Sequence, residues 1–163
     1  MLELRVETVI FSEHPLSQPV PTFANLPAAS FTNLQNASIA VFGAAEGSPY
    51  DPSSPSHSAK APAALREASA KFAGQLQQYD FDLDAVLLGP EGENFGMVDC
   101  GNVATNPHDA EGNRNRITQA TRAALAAGAV PVILGGDDSV PIPWFAGFEG
   151  QGPYTVLQIG RAH

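Results

Sequence analysis

A chain of 163 residues, 44% hydrophobic and 15% charged, is long enough to bury the core of one globular domain. Its formal net charge of -9 excludes a polyanion such as nucleic acid as partner, because no clustered basic face is present to neutralise phosphates, and it is compatible with a cationic substrate. A single cysteine, Cys100, excludes an internal disulfide and suits a reducing compartment, where it is expected to be a small buried hydrophobe beside Asp99.

The first residues, MLELRVETVIF, mix charges into their apolar positions and so lack the basic start and apolar block of an export signal. No apolar run reaches membrane-spanning length, which makes a cytoplasmic protein without membrane contact the expectation. Residues 1–36 form a loop-rich segment: the 14 prolines and 15 glycines concentrate before Pro62 and around strand ends. ASIAVFGA, Ala37 to Ala44, is short, apolar and bounded by polar residues, the pattern of a fully buried strand. The Pro/Ser-rich stretch from Glu46 to Lys60 is too polar to pack and is expected to be a solvated loop, with a place on a site rim as the alternative.

From Pro62 onward Leu65, Ala68, Phe72, Leu76 and Tyr79 recur at helical spacing, with Arg66 and Lys71 off the apolar stripe. FDLDAVLL and GMVDCGNV each predict a strand, separated by the loop GPEGEN. A further helix is predicted from about Asn115 to Ala127, with Ile117, Ala120, Ala124 and Ala127 on one face and Gly128 as a left-handed cap. It leads into the strand VPVIL, then a short proline-started helix, then YTVLQI, Tyr154 to Ile159, as one more buried strand. Alternating helices and apolar strands predict an α/β fold, a parallel sheet sandwiched between helices in three layers. Residues 1–163 then make a single domain whose α/β core runs over 37–159, with no internal repeat.

In such sheets ligands collect at the carboxyl ends of strands, which puts GGDDS, Gly135 to Ser139, on the rim. Two readings stand for it. The glycines can make the turn while Asp138 or Ser139 caps the next helix, with Pro141 just inside. Alternatively, adjacent carboxylates at a strand end repel each other and resist desolvation, so that a metal ion, an arginine or a cationic ligand belongs beside Asp137 and Asp138. His14, His57, His108 and His163 are scattered and form no paired zinc motif, and Glu91 and Glu93 sit in a loop. Asp99 is placed to bond a backbone amide in the turn that follows it. No nucleotide-binding glycine signature follows a strand, and there is no Gly-x-Ser-x-Gly elbow.

GAVPVILGGDDS resembles the Gly-Gly-Asp-His-Ser stretch of the ureohydrolase family of arginases, agmatinases and guanidinobutyrases, and VDCGNV resembles its Asp-x-Gly-Asp-Val. Pro62 to Arg66 look like the start of its helix after a variable loop, and YTVLQI resembles the strand that carries its Asp-Ala-His-x-Asp. The resemblance implies an arginase-like α/β/α fold. It also implies two manganese ions that share a bridging hydroxide, which attacks the carbon of a small cationic guanidino substrate and releases urea; relatives form symmetric homo-oligomers. The first ligand histidine of the family falls on Asp138, an oxygen donor that suits manganese but changes the charge and reach of the site. Asp138 is the one metal ligand expected in this chain.

The resemblance breaks after Ile159, where the family continues Asp-Ala-His-x-Asp and this chain reads GRAH. Setting Ala162 and His163 against the family's Ala-His puts Arg161 at a ligand aspartate, where a cation opposes metal binding. Codons for Gly-Arg-Ala-His-stop exist from which removal of one base gives Asp-Ala-His-Ile. The expectation is therefore a truncated ureohydrolase carrying a single-base insertion, agmatinase-like by descent but inactive alone, with its C-terminal strands missing. The alternative is a non-catalytic fragment or pseudogene product that at most pairs with an intact homologue. A phosphoacceptor-type acidic pocket fails on order, because Lys60 and Lys71 both precede GGDDS.

Overall fold

A computed structural model describes residues 21–75, 78–86 and 96–160. Its elements are β1 (Ile39–Ala44), α1 (Ala61–Ser69), β2 (Tyr79–Asp80), β3 (Ala85–Val86), β4 (Met97–Asn102), α2 (Ala110–Ala126), β5 (Val130–Gly135) and α3 (Pro141–Ala146), with single 3-10 turns at Phe23–Asn25 and Ala70–Phe72. The apolar β1 lies at the centre of a parallel sheet in the order β4-β1-β5. A strand without a polar face needs cover on both sides, and β1 has it. On one side Ala40, Phe42 and Ala44 pack with Ile117, Ala120 and Ala124 of α2. On the other, Gly43 leaves room for α1: a Cβ there would lie 2.8 Å from Pro62 Cβ and 3.2 Å from Arg66 Nη1. The period-2 alternation of β1 thus fixes three layers, as the sequence predicts.

Four local expectations change. The stripe expected to bury α1 faces outward, with Leu65 44% and Phe72 47% exposed, while Pro62, Arg66 and Ser69 are buried. The helix is also shorter than the stripe: it ends at Ser69, Phe72 lies in the 3-10 turn, Tyr79 lies in β2 and Leu76 is outside the described residues. On its inward face a guanidinium saturated by a carboxylate takes the place of leucine. Second, α2 begins at Ala110 and not near Asn115, because the Asp109 side chain caps it by accepting from the Gly112 N–H at 2.9 Å. Ala127, expected on its apolar face, is exposed, and Gly128 ends the helix at φ +79°.

Third, FDLDAVLL does not form one strand. The two-residue strands β2 and β3 pair antiparallel around a turn in which Asp80 Oδ1 accepts from the N–H groups of Asp82 and Leu83, with Asp84 at φ 52°. Alternating aspartates favour this Asx-type turn over an extended run. Leu87 and Leu88 lie outside the described residues, as do Glu91 and Glu93.

Fourth, Tyr154–Ile159 is not a buried strand: it carries no regular structure, with Leu157 80% and Ile159 87% exposed. The outer edge of β5 has no strand beside it among the described residues. There the N–H groups of Val130 and Gly136 bond inward to Ser38 and Ala44 oxygens at 2.8 and 2.9 Å, which turns Pro131, Ile133 and Gly135 outward. Proline supplies no donor, so this edge offers a weak ladder.

Candidate functional site

The turns after β1 and β5 lie face to face at the carboxyl end of the sheet, and glycine is required at two contacts between them. A Cβ on Gly136 would stand 1.8 Å from the Ala45 carbonyl oxygen, and one on Gly47 would stand 2.6 Å from that of Ser139. Ser139 locks the approach. Its buried hydroxyl accepts from the N–H groups of Gly47 and Ser48 at 2.8 and 2.7 Å and donates to Asp137 Oδ1 at 2.5 Å. The same Asp137 oxygen accepts from the Ser139 N–H at 3.1 Å. These acids and Ser139 do not cap the next helix: the N-cap of α3 is Val140, without a side-chain cap, although Pro141 stands in the first turn as expected.

Asp137 Oδ2 is buried and has no hydrogen-bond partner among the described residues. Asp138 is exposed beside it, and its Oδ1 accepts from the Tyr50 hydroxyl at 2.5 Å. That bond is the main reason the Tyr50 phenol titrates above its ordinary value, with smaller contributions from desolvation and from the charges of Asp138 and Asp137. Tyr50, His57, Ser58, Gly136, Asp137, Asp138 and Gln158 line one open pocket. The loop from Glu46 to Lys60 is therefore more than a solvated connection. Buried Glu46 accepts from the Ser56 N–H at 3.1 Å, and Arg114 Nη1 donates to Ser48 Oγ at 2.7 Å, which holds Tyr50 and His57 over the two acids.

Of the two histidines among the described residues, His57 lines this pocket and His108 is exposed elsewhere; His14 and His163 lie outside the described residues. The donors present fit a hard divalent cation such as manganese, since the partnerless Asp137 Oδ2 and the open Asp138 carboxylate are oxygen ligands. Among the described residues, no three or more His, Cys, Asp or Glu stand together where they could hold a metal ion.

Asp99 behaves differently. It bonds the Gly101 N–H at 2.8 Å, as expected, and also accepts from the Phe23 N–H at 2.7 Å and from Arg66 Nε and Nη2 at 2.7 and 2.9 Å. Burial pushes its carboxyl up, but the bonds from Arg66, Phe23 and Gly101 and the Arg66 charge together hold it below the usual carboxylate range. Arg66 also donates to Asn102 Oδ1 at 2.6 Å. Sequence reasoning missed Arg66 as the buried partner, and the one signal available was its place at the inward phase 62, 66, 69. Cys100 is half-buried between both core clusters, and burial, with the Asp99 charge adding to it, pushes its thiol up to about 11.

A family model described as the Arginase family matches residues 37–163. The chain belongs to the arginase family. Three solved structures are similar to it. A hypothetical agmatinase from Burkholderia thailandensis is 20% identical, with TM-score 0.60 over 82% of this chain and 39% of its own. A protein from Clostridium difficile described as a candidate agmatinase is 26% identical, with TM-score 0.54 over 73% of this chain and 40% of its own. An agmatine ureohydrolase of Thermoplasma volcanium is 24% identical, with TM-score 0.50 over 71% of this chain and 35% of its own. The first and third likenesses concern the fold alone. The chain spans about two-fifths or less of the length of these solved relatives. Among curated proteins no sequence matches. The arginase-like α/β fold read from GGDDS and VDCGNV is thereby established, and within the described residues no helix is long and apolar enough to cross a membrane.

Proposed function

We propose that this chain is the N-terminal portion of a manganese-dependent, agmatinase-like ureohydrolase, in which Asp138 contributes an oxygen ligand to the metal. The observation that carries the reading is the pair Asp137–Asp138, set on the family's Gly-Gly-Asp turn at the carboxyl end of β5, with one buried oxygen free and one carboxylate open to a pocket. Bound metal would supply a water made acidic enough to act near neutral pH. The chain's own residues give the rest of what is needed locally: Ser139 orients Asp137, Arg114 and Glu46 hold the rim loop, and the acidic pocket accommodates a cationic guanidino group.

The 163-residue chain alone is inactive in this reading, because the two carboxylates and one histidine that line the pocket among the described residues fall short of the several ligands that a two-metal centre requires. The test is direct. The purified chain, loaded with manganese, is incubated with agmatine, arginine and 4-guanidinobutyrate, and urea is measured; no release is expected from any of the three. Urea from one of them would overturn the inactivity and name the substrate.

A further inference from the structure

We infer that two copies of this chain exchange residues 154–159, each adding the segment as a strand to the outer edge of β5 in the other. The edge is open: the N–H and C=O groups of Ile133 and Gly135 point away from β1, and Pro131 there lacks a donor. Beside it lies an open apolar groove of about 470 Å³, lined by Leu125, Ala129, Val130, Pro131, Trp144 and Phe148. Residues 154–159 are its match, with Tyr154 57%, Val156 56%, Leu157 80% and Ile159 87% exposed. Neither residues 130–136 nor residues 151–160 include a charged side chain, so copies with a net charge of -9 meet over neutral surface.

The segment lies close to the edge of its own chain without using it. The Tyr154 ring sits 6.1 Å from that of Phe148 in the groove, and Gln158 reaches the pocket of Gly136 and Asp137, so the segment runs in the direction of β5. No backbone hydrogen bond joins the two among the described residues. The short connection over residues 147–153 sets that separation. Its first part is tied down by the Gln151 N–H on the Phe148 oxygen at 3.0 Å and by Arg122 on Glu149 at 3.3 Å. Gly150 and Gly152 follow at φ +82° and +100° in open space, where the arm can pivot. A tethered connection that withholds an arm from its own edge, and leaves it free to swing outward, favours exchange with a second copy.

Area decides between a one-way and a reciprocal contact. The exposed parts of the four large side chains amount to roughly 300 Å² per arm. With the surface they cover, one arm buries roughly 600 Å², about half of the ~1,200 Å² at which stable interfaces begin. Two arms exchanged across a two-fold axis reach that threshold and double the short ladder offered by Ile133 and Gly135.

The test is sedimentation equilibrium of the 163-residue chain over a wide range of concentration, with amide exchange of Ile133 and Gly135 followed alongside. The parent should pass from monomer to dimer, and both amides should slow as the dimer fills. Thr155→Pro combined with Val156→Pro removes a ladder donor whichever of the two faces β5, at positions already in solvent. It should raise the dissociation constant at least about 10-fold. A Gly-Ser-Gly insertion after Gly150 separates exchange from closure within one chain: the longer connection lets each arm reach its own edge, and a monomer with both amides protected is expected. Circular dichroism melts verify that all three chains are folded. The inference is overturned by a parent that stays monomeric throughout, or by a dimer in which Ile133 and Gly135 exchange as in the monomer. A dimer equally tight in the proline variant, or in the lengthened chain, overturns it as well.

Discussion

Asp99 on β4 and the pair Asp137–Asp138 after β5 place carboxylates in one sheet under opposite conditions. Asp99 is 1% exposed and receives four donors, two from Arg66 and two from backbone amides. The pair receives a serine and a phenol, and leaves one oxygen buried without a partner and one side chain in solvent. A saturated carboxylate has no lone pair to offer a ligand, whereas an undersatisfied one keeps its affinity for a cation in reserve. The first therefore holds the fold together, and the second is the place where we propose a ligand. Asp99 also ties Phe23, from the segment before the sheet, to α1 and β4, so removing it loosens three parts of the chain at once.

The largest effect should come from breaking the saturated side. Arg66→Ala leaves Asp99 buried and unpaired, which predicts a loss of about 3–5 kcal/mol in urea unfolding. The pH dependence gives the same contrast with a sign. In the parent, the Asp99 carboxyl lies below its ordinary value, so its contribution is complete above the usual carboxylate pKa of about 3.9 and is lost as pH falls through the lower folded value. In Arg66→Ala the two backbone N–H bonds remain but the guanidinium is gone, so burial is expected to move the carboxyl upward from its parent value, and the stability that Asp99 contributes at neutral pH should shrink. The deficit of the variant should accordingly be greatest near neutral pH and shrink in acid. A deficit that is the same at pH 3 and pH 7 would refute the assignment of Arg66 as the group that keeps Asp99 ionised.

A smaller loss is expected where the two conditions meet, at Ser139. Its hydroxyl satisfies two backbone amides of the rim loop and one oxygen of Asp137, so Ser139→Ala strands buried N–H groups and predicts about 1–3 kcal/mol of destabilisation. Ser139→Thr keeps the hydroxyl and should recover part of it. Amide exchange of Gly47 and Ser48 is the local readout, since both N–H groups lose their acceptor in the alanine variant.

The contrast also explains which features were legible in the sequence. Strand β1 announces itself because burial on both faces leaves no room for polar residues, β4 and β5 because they are short apolar runs bounded by glycine-rich turns, and the stretches Met97–Asn102 and Val130–Gly135 fall where the pattern places them. The turn at Asp137 was legible from its two glycines. Arg66 was not: periodicity sorts charges to the outside, and only the remote Asp99, 33 residues on, makes the inward guanidinium stable. Tyr50 was equally hidden, because its partner Asp138 is 88 residues away and nothing local marks that pairing. Tyr154–Ile159 misled for the converse reason: an apolar β-branched run signals a strand only if an edge with donors is ready to receive it.

The smallest effect on stability sharpens the comparison most. Asp138→Asn is nearly isosteric, keeps an oxygen that can accept from Tyr50, and removes one of two adjacent like charges at an exposed position. Its unfolding free energy should therefore stay within about 0.5 kcal/mol of the parent. The same substitution at Asp99 would strip half of a buried ion pair. A site kept for ligand binding is expected to tolerate neutralisation without loss of fold, because the charge there was never satisfied by the protein. Should Asp138→Asn instead melt as Arg66→Ala does, the acid after β5 would be holding the fold together as Asp99 does, and its open lone pairs would no longer argue for a ligand.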